Sequence, residues 1–411
     1  PGMESVAAAA APHATVVQED RLGTGHAVAM ARPLLGDYLC AAGIGDVLVV
    51  YGDTPLLTPE TLQAMRAARH GGAGALGADI VGLAFRPEDP AQYGRVLLDD
   101  SGAVARIVEY ADANDEERAV DLCNAGALLA AGPALDRLLA GLKNDNAKGE
   151  YYLTDIYALA RAQGLRAVMA LGDAEEVLGV NNRQELAGAE AILQDRLRAK
   201  AMAAGVTMTD PATVYLAYDT ELGQDVVLQP NVFFGPGVRV AAGAEIRANC
   251  HLEGDLEKNA LVEVGPGVQV GPFARLRPGT RLAEGCRIGN FVEVKNATLK
   301  SGAKANHLTY IGDSEVGAGA NVGAGTITCN YDGFNKFRTK IGDGAFIGSN
   351  TALVAPVQVG AGAIVGAGST VTFDVEDNAL AVARGRQANI KDGALRFRAT
   401  ASKQGKPGAK K

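Results

Sequence analysis

Cysteine, histidine and long apolar runs are scarce in this 411-residue chain, and each shortage excludes a class of protein. The five cysteines are scattered and form no CxxC pair, which argues against a disulfide framework or a zinc site and for free thiols in a reducing cytoplasm. They are Cys40, Cys123, Cys250, Cys286 and Cys329. No apolar run approaches the ~18 residues that a membrane span needs, and no cleavable signal pattern is present.

An excess of basic charge is also missing. The formal net charge is -8, which argues against non-specific binding of nucleic acid. The one basic stretch lies at the end of the chain, in residues 388–411, and we interpret it as a solvated tail, with a local anion contact as the alternative. A chain of 411 residues is too long for one ordinary core, so two domains are expected.

The first part of the chain alternates between short apolar runs and amphipathic stretches. Residues 47–50 predict a buried parallel strand that ends just before Asp53. Residues 58–69 predict a helix with Thr58 as its N-cap. This alternation is typical of an α/β doubly wound (Rossmann-like) sheet, whose site lies at the carboxyl ends of the strands. A single connecting helix is predicted over residues 184–204.

From Leu222 onward the apolar residues recur at every sixth position, with one break at Lys258. The series is Leu222, Leu228, Phe234, Val240, Ile246, Leu252, Val264, Val270, Leu276, Leu282, Ile288 and Val294, and it continues as Val316, Val322, Ile341, Ile347, Leu353, Val359, Val365 and Val371. A six-residue period predicts a stack of triangular coils in which each apolar side chain points inward. Disordered Gly-rich sequence is the alternative. The phase slips across residues 326–340, where we expect an excursion that carries function.

Several short motifs occur in a fixed order along the chain. In the second half they are Arg277-Pro278-Gly279, Asn290-Phe291-Val292-Glu293, Lys295, His307-Leu308-Thr309-Tyr310, Gly323-Ala324-Gly325-Thr326 and Asn330-Tyr331-Asp332-Gly333. In the first half they are Gln18, Leu22-Gly23-Thr24-Gly25-His26, Tyr51-Gly52-Asp53, Tyr93-Gly94-Arg95, Glu109, Asn124, Gly149-Glu150-Tyr151-Tyr152 and Gly179-Val180-Asn181-Asn182. Together they resemble the bacterial bifunctional N-acetylglucosamine-1-phosphate uridyltransferase/glucosamine-1-phosphate N-acetyltransferase family.

The resemblance implies a uridyltransferase domain in residues 1–182, a linker helix in 183–205 and a left-handed parallel β-helix of hexapeptide repeats in 206–387. It implies two reactions: acetyl transfer from acetyl-CoA to glucosamine-1-phosphate, and uridylyl transfer from UTP to N-acetylglucosamine-1-phosphate. The product, UDP-N-acetylglucosamine, serves peptidoglycan and lipopolysaccharide synthesis. The resemblance also implies a cytoplasmic homotrimer that binds these small molecules and neither nucleic acid nor a membrane.

One departure from the family pattern concerns the start of the chain. The family opens with a strand and a Gly-rich loop whose backbone N–H groups cradle the nucleotide triphosphate. No such segment stands in this sequence, so roughly two βα units are expected to be missing. A fragmentary sequence is the simpler explanation. The alternative is an acetyltransferase whose nucleotidyl domain is inactive.

Acetyl transfer to an amino sugar needs a base that works near neutral pH, and histidine is the usual one. Of the five histidines only His307 lies in the motif-dense part of the coil, although a lone histidine is more often structural. The resemblance assigns His307 the proton-acceptor role. Arg277 and Lys295 are 18 residues apart, one coil of three hexapeptides, so they are predicted to stack and to hold one phosphate. A solvated charge pair is the alternative for these two cations.

The resemblance also implies two further sets of acetyltransferase residues. Those that bind the sugar phosphate are Arg277, Lys295, Tyr310 and Asn321, with the amide of Asn330. Those that contact acetyl-CoA are Ala324, Asn330, Tyr331, Ser349, Ala367 and Arg384. Tyr310 could otherwise be a packing residue, and the two alanines could be ordinary corner residues.

Uridylyl transfer needs positioned phosphates and Mg²⁺ held by oxygen ligands. By resemblance Asp53 and Asn181 hold the metal, and a helix cap or a turn is the structural alternative for both. The remaining residues that the resemblance assigns to UTP and UDP-N-acetylglucosamine are Gln18, Gly23, Thr24, Tyr51, Gly52, Gly94, Glu109 and Asn124.

Two other functions are disfavoured by the histidine count and by the motifs. A β-helix carbonic anhydrase needs three clustered histidines on zinc, and only His251 and His307 lie in the coil. A scaffolding protein would have no reason to combine His307 with Arg277, Lys295 and Tyr310.

Overall fold

The computed structural model describes residues 3–36, 39, 45–71, 77–90, 92–146 and 148–403. Its contacts divide the chain into two compact units, Pro1–Leu193 and Gln194–Lys411. Cys40 and residues 404–411 of the predicted basic tail lie outside the described residues.

The first unit contains a mixed sheet with helices around it. In the described part of this unit the strands are β1 (Asp46–Val49), β2 (Ile80–Phe85), β3 (Arg95–Leu98), β4 (Val104–Val108), β5 (Cys123–Ala131) and β6 (Ala167–Leu171). The helices are α1 (Glu4–Ala9), α2 (Thr24–Met30), α3 (Pro59–His70), α4 (Asp115–Arg118), α5 (Gly132–Ala140) and α6 (Asp155–Ala162). The sheet order is β4-β3-β5-β2-β6, with β1 beside β5. Only β2 and β6 pair in parallel among these strands.

Helix α3 forms where the sequence predicts one. The Thr58 hydroxyl accepts a hydrogen bond from the Thr61 N–H (3.2 Å), which satisfies one of the free donors at the helix start. Pro59 occupies the first helical position, where its missing N–H costs nothing. The fully buried Met65 lies on the face that packs against the sheet.

The strand predicted over residues 47–50 is present, but its pairing and its burial differ from the prediction. It is β1, and it pairs antiparallel with the end of β5, from Asp46 opposite Ala131 to Val49 opposite Leu128. Leu48 is 41 % exposed and Val50 47 % exposed, so the strand is half-buried. A continuous apolar run does not distinguish a central parallel strand from an edge strand. Asp53 consequently lies in an exposed turn after the strand.

The helix predicted over residues 184–204 is present as α7 (Arg183–Ala203). The side chain of Asn182 caps it by accepting from the N–H groups of Gln184 and Glu185, both at 2.9 Å. In the second unit, Gln194 of this helix exchanges two hydrogen bonds with the backbone of Leu216 (2.7 and 2.9 Å).

The second unit is a parallel β-helix with three walls, and residues 206–403 are described without a gap. In that range wall 1 contains β8 (Glu221–Leu222), β11 (Val238–Val240), β14 (Val262–Val264), β17 (Arg281–Leu282), β20 (Thr298–Leu299), β23 (Ser314–Val316), β26 (Thr339–Ile341) and β29 (Val357–Val359). Wall 2 contains β7 (Thr207–Met208), β9 (Val227–Leu228), β12 (Glu245–Ile246), β15 (Gln269–Val270), β18 (Arg287–Asn290), β21 (Lys304–His307), β24 (Asn321–Val322), β27 (Phe346–Ile347), β30 (Ile364–Val365) and β32 (Leu380–Ala381). Wall 3 contains β10 (Phe233–Phe234), β13 (His251–Leu252), β16 (Arg275–Leu276), β19 (Glu293–Lys295), β22 (Tyr310–Gly312), β25 (Ile327–Cys329), β28 (Ala352–Val354) and β31 (Thr370–Val371).

The six-residue period has the predicted origin. Each strand turns at least one side chain inward, and these mostly apolar side chains form a continuous core along the axis of the prism. The break at Lys258 is a short excursion in which Asp255 and Ala260 pair and Lys258 forms an ion pair with Asp255 (2.6 Å). The predicted fold class, an α/β domain followed by a β-helix, is confirmed.

The phase slips in more places than the apolar pattern indicates. The inward positions step by five residues from Val294 to Leu299 and again from Ile311 to Val316. Each shortened corner contains a residue with positive φ, Asn296 (45°) or Asp313 (47°). Asn and Asp tolerate this left-handed conformation better than other side chains, which lets the chain turn with one residue fewer.

The predicted excursion at 326–340 is shorter in the structure. It covers residues 330–338, because Ile327–Cys329 and Thr339–Ile341 are strands of the coil. Thr328 holds the inward position, where its hydroxyl accepts from the N–H of Gly312 (2.8 Å). Because this inward residue is polar, the six-residue series of apolar residues does not reveal that Ile327–Cys329 belongs to the coil.

The predicted basic tail begins with an exposed segment that includes helix α8 (Gly393–Lys403). At the other end of the β-helix, a single 3-10 turn (Pro211–Thr213) follows β7. Across the described ranges, no helix combines the length and apolarity that crossing a membrane requires.

Candidate active sites

One corner of the β-helix, between wall 2 and wall 3, collects several predicted residues in a single column. The wall 2 residues Ile288, Ala305, Val322, Ile347 and Val365 pair in register from coil to coil. Two positions after each of them stand Asn290, His307, Ala324, Ser349 and Ala367, which we call the corner column. Paired strands lie ~4.8 Å apart, so each residue of the corner column lies one coil from the next. Arg384 extends the column, since its Nη1 donates to the carbonyl of Ala367 (2.9 Å).

His307 is exposed and is oriented by Asn290. The two residues are paired in register, and His307 Nδ1 lies 2.7 Å from Asn290 Oδ1. A carbonyl oxygen only accepts, so this contact places the imidazole proton on Nδ1. The other nitrogen, Nε2, then has a lone pair free to accept a proton.

Three cations converge at the far edge of wall 3. Arg277 and Lys295 each follow one of the paired residues Leu276 and Val294, and so stack one coil apart. Burial lowers the pKa of the Lys295 ammonium, and the positive charges of Lys336 and Arg277 lower it further. Lys336 comes from the excursion 330–338. Such a cluster of like charges attracts an anion, and a phosphate is suited to it.

The carboxylates near these cations are already engaged. Glu293 forms an ion pair with Arg277 (2.7 Å), in which both side chains are about one-third exposed (33 % and 34 %). The buried Asp313 accepts from the side-chain amides of Asn296 and Asn330, both at 2.5 Å. These pairings leave Lys295, Lys336 and the remaining N–H donors of Arg277 to face an incoming anion.

Tyr310 lies on wall 3 between the corner column and the cations. Burial raises the pKa of its phenol, a hydrogen bond with Asn330 acts in the opposite direction, and the charges of Asp313 and Glu293 raise it further. The phenol thus stays protonated and can donate to a ligand. Gly312 leaves room for this ring, because a Cβ at Gly312 would overlap the phenol.

The other predicted acetyltransferase residues occupy different places. Asn321 is half-buried on wall 2, three positions before Ala324 of the corner column. Asn330 and the exposed Tyr331 lie at the next corner, between wall 3 and wall 1, where the excursion begins. Within one chain the structure therefore does not bring Asn330 and Tyr331 into the corner column.

In the first unit, four predicted nucleotide residues lie close together. The side chain of Gln18 donates to the carbonyl of Gly23 (3.2 Å), and the Thr24 hydroxyl accepts from the N–H of Leu153 (3.1 Å). Burial raises the pKa of the Tyr51 phenol, a hydrogen bond with Thr24 opposes this, and the carboxylates of Glu109 and Asp53 raise it further. Gly52 is exposed in the turn between Tyr51 and Asp53.

The predicted sugar-binding residues also form one group. The N–H of Asn124 donates to the carbonyl of Gly94 (2.9 Å), and the missing side chain of Gly94 leaves space beside the Glu109 carboxylate. Glu109 accepts from the Thr154 hydroxyl (3.1 Å). Gly126, at φ 83°, faces the ring of Tyr51, which joins this group to the nucleotide residues.

The predicted metal ligands lie in neighbouring segments. The carbonyl of Asp53 accepts from the N–H of Val180 (2.7 Å), which places Asn181 next to Asp53 in space. Both side chains are exposed and offer hard oxygen atoms, the ligand type that Mg²⁺ prefers. Among the described residues no group of three or more His, Cys, Asp and Glu side chains could hold a metal ion. The residues fit Mg²⁺ only as a partial ligand set, completed by phosphate oxygens and water.

Comparisons with known proteins agree with this organisation. The family model "Bacterial transferase hexapeptide (six repeats)" matches residues 262–296 and 338–372, both within the β-helix. A protein of Paramagnetospirillum magneticum is 55 % identical over 399 residues, 97 % of this chain and 85 % of its own length. Proteins of Rhodospirillum rubrum (58 %, covering 97 % and 86 %) and Rhizorhabdus wittichii (60 %, covering 97 % and 85 %) are similarly close. All three are named "Bifunctional protein GlmU".

The chain belongs to the bifunctional GlmU family. The identity extends through both units, so the resemblance stated from the motifs is confirmed for the α/β domain and for the β-helix alike. These GlmU relatives are matched over nearly the whole of this chain, so the two units occur together in them as well.

The candidate site in the β-helix contains residues that the sequence alone did not single out. Asn290 is one, and its place in a quoted motif was a usable signal. Lys336 and Asp313 are two more. The excursion predicted at 326–340 was expected to carry function, but nothing in the sequence distinguishes Lys336 from its polar neighbours there. Nothing in the six-residue phase indicates Asp313, because it lies at one of the hidden five-residue steps.

Proposed function

We propose that the chain makes UDP-N-acetylglucosamine in two steps. The β-helix transfers the acetyl group of acetyl-CoA to glucosamine-1-phosphate, and the α/β domain transfers uridylyl from UTP to the N-acetylglucosamine-1-phosphate so formed. Membership of the GlmU family supports this bifunctional assignment over an acetyltransferase with an inactive nucleotidyl domain. The free thiols favour a reducing compartment, the cytoplasm.

The observation that carries the acetyltransferase assignment is the corner column. An exposed histidine with one nitrogen free stands in line with Ala324, Ser349 and Ala367, whose small side chains leave the corner open. The pantetheine arm lies along this corner, with its thioester next to His307. Nε2 takes a proton from the amine as the amine attacks the thioester carbonyl, and returns it to the departing thiolate.

The phosphate of the sugar binds at the far edge of wall 3. A three-residue strand spans ~10 Å, and the long side chains of Arg277 and Lys295 reach back from that edge. Glucosamine-1-phosphate therefore lies across wall 3 with its amine towards His307 and its phosphate among the cations. Tyr310 donates to it from the middle of the wall, and Asn321 completes the shell.

We infer a homotrimer from the separation of two predicted sets. Ala324, Ser349, Ala367 and Arg384 share one corner, whereas Asn330 and Tyr331 lie at the next. One acetyl-CoA molecule can touch both sets if the excursion of one copy reaches the corner column of its neighbour. Two copies then build each site, and three-fold symmetry closes the assembly.

The α/β domain binds UTP through Gln18, Gly23, Thr24, Tyr51 and Gly52, and the sugar through Gly94, Glu109 and Asn124. Asp53 and Asn181 would hold Mg²⁺. When bound, the ion neutralises phosphate charge and orients the triphosphate. The chain's own residues then keep the sugar phosphate in line for attack on the α-phosphate.

The acetyl-transfer step is tested by release of free thiol from acetyl-CoA with glucosamine-1-phosphate as acceptor, and by the mass of the acetylated product. Thiol release with no acetylated sugar phosphate would contradict the assignment. Glucosamine lacking the phosphate is the matched control, and we expect it to be a poor acceptor because it cannot engage Arg277 and Lys295.

The uridylyl-transfer step is tested separately with UTP, N-acetylglucosamine-1-phosphate and Mg²⁺. Turnover by the 411-residue chain would exclude the alternative of an acetyltransferase alone. No turnover beside normal acetyl transfer would favour that alternative. Chelation of the metal should abolish this reaction and leave acetyl transfer unchanged.

The trimer is tested by complementation. A His307→Ala chain retains its excursion, and a Tyr331→Ala chain retains its corner column. If each site takes these parts from different copies, co-refolded mixtures regain activity that neither variant has alone. Absence of recovery in mixtures of confirmed trimeric mass would show that each site lies within one copy.

A further inference from the structure

Asp313 is a buried carboxylate to which the proposed chemistry gives no role. It is 7 % exposed and lies at the corner between wall 3 and wall 1, at one of the two shortened corners. Its positive φ (47°) matches that of Asn296 (45°), one coil below. A buried charge at a strained backbone position is retained only where its surroundings hold it firmly.

The contacts of Asp313 link the coil to both ends of the excursion 330–338. Its carboxylate accepts from the side chain of Asn330 at the start of the excursion (2.5 Å) and from Asn296 below (2.5 Å). Its main-chain carbonyl accepts from the N–H of Thr339, just past the end of the excursion (3.2 Å). Inside the excursion the N–H of Phe337 donates to the carbonyl of Asn330 (2.9 Å).

We propose that Asp313 is a positioning residue of the sugar-phosphate site, which clamps the two ends of the excursion and so holds Lys336 beside Lys295. The proposal rests on the acetyltransferase function proposed above. Asp313 touches neither substrate in this arrangement. It acts through Asn330, whose side chain also bonds Tyr310, and through Lys336.

The chemistry of the site requires a carboxylate here. Two amide N–H donors, from Asn296 and Asn330, point at the side chain of Asp313, and only a carboxylate accepts from both without turning a donor towards one of them. Its negative charge also offsets the repulsion among Arg277, Lys295 and Lys336. Both oxygens are occupied by amides, so Asp313 does not compete with a phosphate for the cations.

Asp313→Asn tests the proposal with little change of shape. The new amide group places a donor against the side-chain amide of Asn330 or Asn296, which weakens the hydrogen bonds that tie the start of the excursion to the coil. We expect KM for glucosamine-1-phosphate to rise about 10- to 100-fold, the effect of losing a hydrogen bond to a charged group. We expect kcat and KM for acetyl-CoA to change by no more than about twofold. Hydrogen exchange should accelerate at Phe337 and Thr339.

Asp332→Asn is the matched control. Asp332 lies in the same excursion and its Oδ1 accepts from the N–H groups of Phe334 and Asn335 (2.8 and 2.6 Å), which an asparagine can also do. Its KM and hydrogen exchange should stay within about twofold of the starting protein. A change as large as that in Asp313→Asn would mean that any lost charge in the excursion has this effect, and would overturn the proposal.

The double variant Asp313→Asn, Asn330→Asp separates positioning from simple destabilisation. The double variant swaps the amide and the carboxylate between positions 313 and 330, so the hydrogen bond between the two side chains forms again with donor and acceptor reversed. The end of the excursion is then tied to the coil as before. Slow hydrogen exchange at Phe337 and Thr339 should therefore return.

Four results would be decisive. The positioning role would be overturned if the double variant did not restore slow hydrogen exchange at Phe337 and Thr339. It would also be overturned if Asp313→Asn lowered kcat and raised both KM values by equal factors. A starting protein that does not acetylate glucosamine-1-phosphate would instead overturn the proposed function. An unchanged KM in Asp313→Asn beside normal activity of the starting protein would overturn the positioning role alone.

Discussion

The two units hold their candidate sites in different ways. In the β-helix, register alone aligns Asn290, His307 and Ala324, because each follows an inward residue of wall 2 by the same two positions. In the α/β domain, the candidate residues lie on turns and strand ends, and individual contacts hold them, such as the bond between Asp53 and Val180. A repeating scaffold therefore makes its site predictable from spacing, whereas a mixed sheet does not.

The two scaffolds also differ in where they depart from regularity. The β-helix concentrates several of its irregular features near the cation cluster, in the excursion 330–338 and the shortened corners at Asn296 and Asp313. The α/β domain has no such background period against which an exception stands out. An exception to a repeat is thus a stronger functional signal than an isolated polar residue in a mixed fold.

The largest effect should come from removing the base in the corner column. For His307→Ala we expect kcat for acetyl transfer to fall by about 10²- to 10⁴-fold, the usual contribution of general base catalysis. Uridylyl transfer should be unchanged, because the two sites lie in separate units. Steady-state kinetics of both reactions on one preparation measure the contrast.

His251→Ala provides the control for that loss. His251 lies on wall 3 of the same β-helix, where its Nε2 is 3.3 Å from Glu253. Acetyl transfer by this variant should stay within about twofold of the starting protein. Equal losses from both histidines would mean that any substitution on the coil impairs acetyl transfer, and would contradict a specific role for His307.

The next effect concerns the cations at the far edge of wall 3. Lys336→Met should raise KM for glucosamine-1-phosphate about tenfold, since one charged contact to the phosphate contributes roughly 1.5 kcal/mol. It should also raise the pKa of Lys295, because burial and the charge of Lys336 together hold that pKa below its usual range. Lys295 then keeps its charge to higher pH, so the pH at which kcat/KM falls on the alkaline side should increase. A downward shift would contradict the placement of Lys336 beside Lys295.

A smaller effect is expected where the α/β site depends on one close contact. Gly126→Ala places a methyl group against the ring of Tyr51. We expect about a tenfold loss of uridylyl transfer, since overpacking costs roughly 1–3 kcal/mol. Acetyl transfer should not change. Gly102→Ala is the control, because Gly102 also has positive φ (78°) but nothing within 4 Å of an added Cβ.

The smallest effect tests charge in the α/β domain. Burial raises the pKa of Asp155, and the charges of Glu109 and Asp112 raise it further. A carboxyl group with a raised pKa stabilises the fold when protonated, and that contribution is lost as pH rises through its folded pKa. Asp155→Asn should therefore raise the midpoint temperature for thermal unfolding of the α/β domain by about 1–3 °C near neutral pH. At acid pH the substitution should make little difference. A lower midpoint near neutral pH would contradict the sign.

Much of the β-helix followed from the sequence. The six-residue period indicated three walls and an inward apolar core, and the 18-residue interval indicated that Arg277 and Lys295 stack. The helix at Thr58 was also predictable, since the N-cap and Pro59 act locally. These predictions succeed because they depend on neighbours in sequence or on a repeat of fixed length.

The prediction for residues 47–50 was wrong for the opposite reason. An apolar run records that a segment is buried to some degree, but its partner strand, β5, lies about 80 residues further along the chain. The antiparallel pairing and the exposure of Leu48 follow from that distant partner. The five-residue steps at Leu299 and Val316 were missed because Ala305, an inward residue between them, has no large apolar side chain.

The sequence by itself determined the period, the inward face of each strand and the family of the chain. All three follow from which residues occur and how far apart they stand along the chain. Only the tertiary structure decided that Asp313 faces two amide donors, that Lys336 meets Lys295, and that Asn330 stands at a different corner from Ala324. Those facts depend on where coils of 17 and 18 residues place their corners. A difference of one residue in the length of a coil changes which way a side chain points only once the chain is folded into coils.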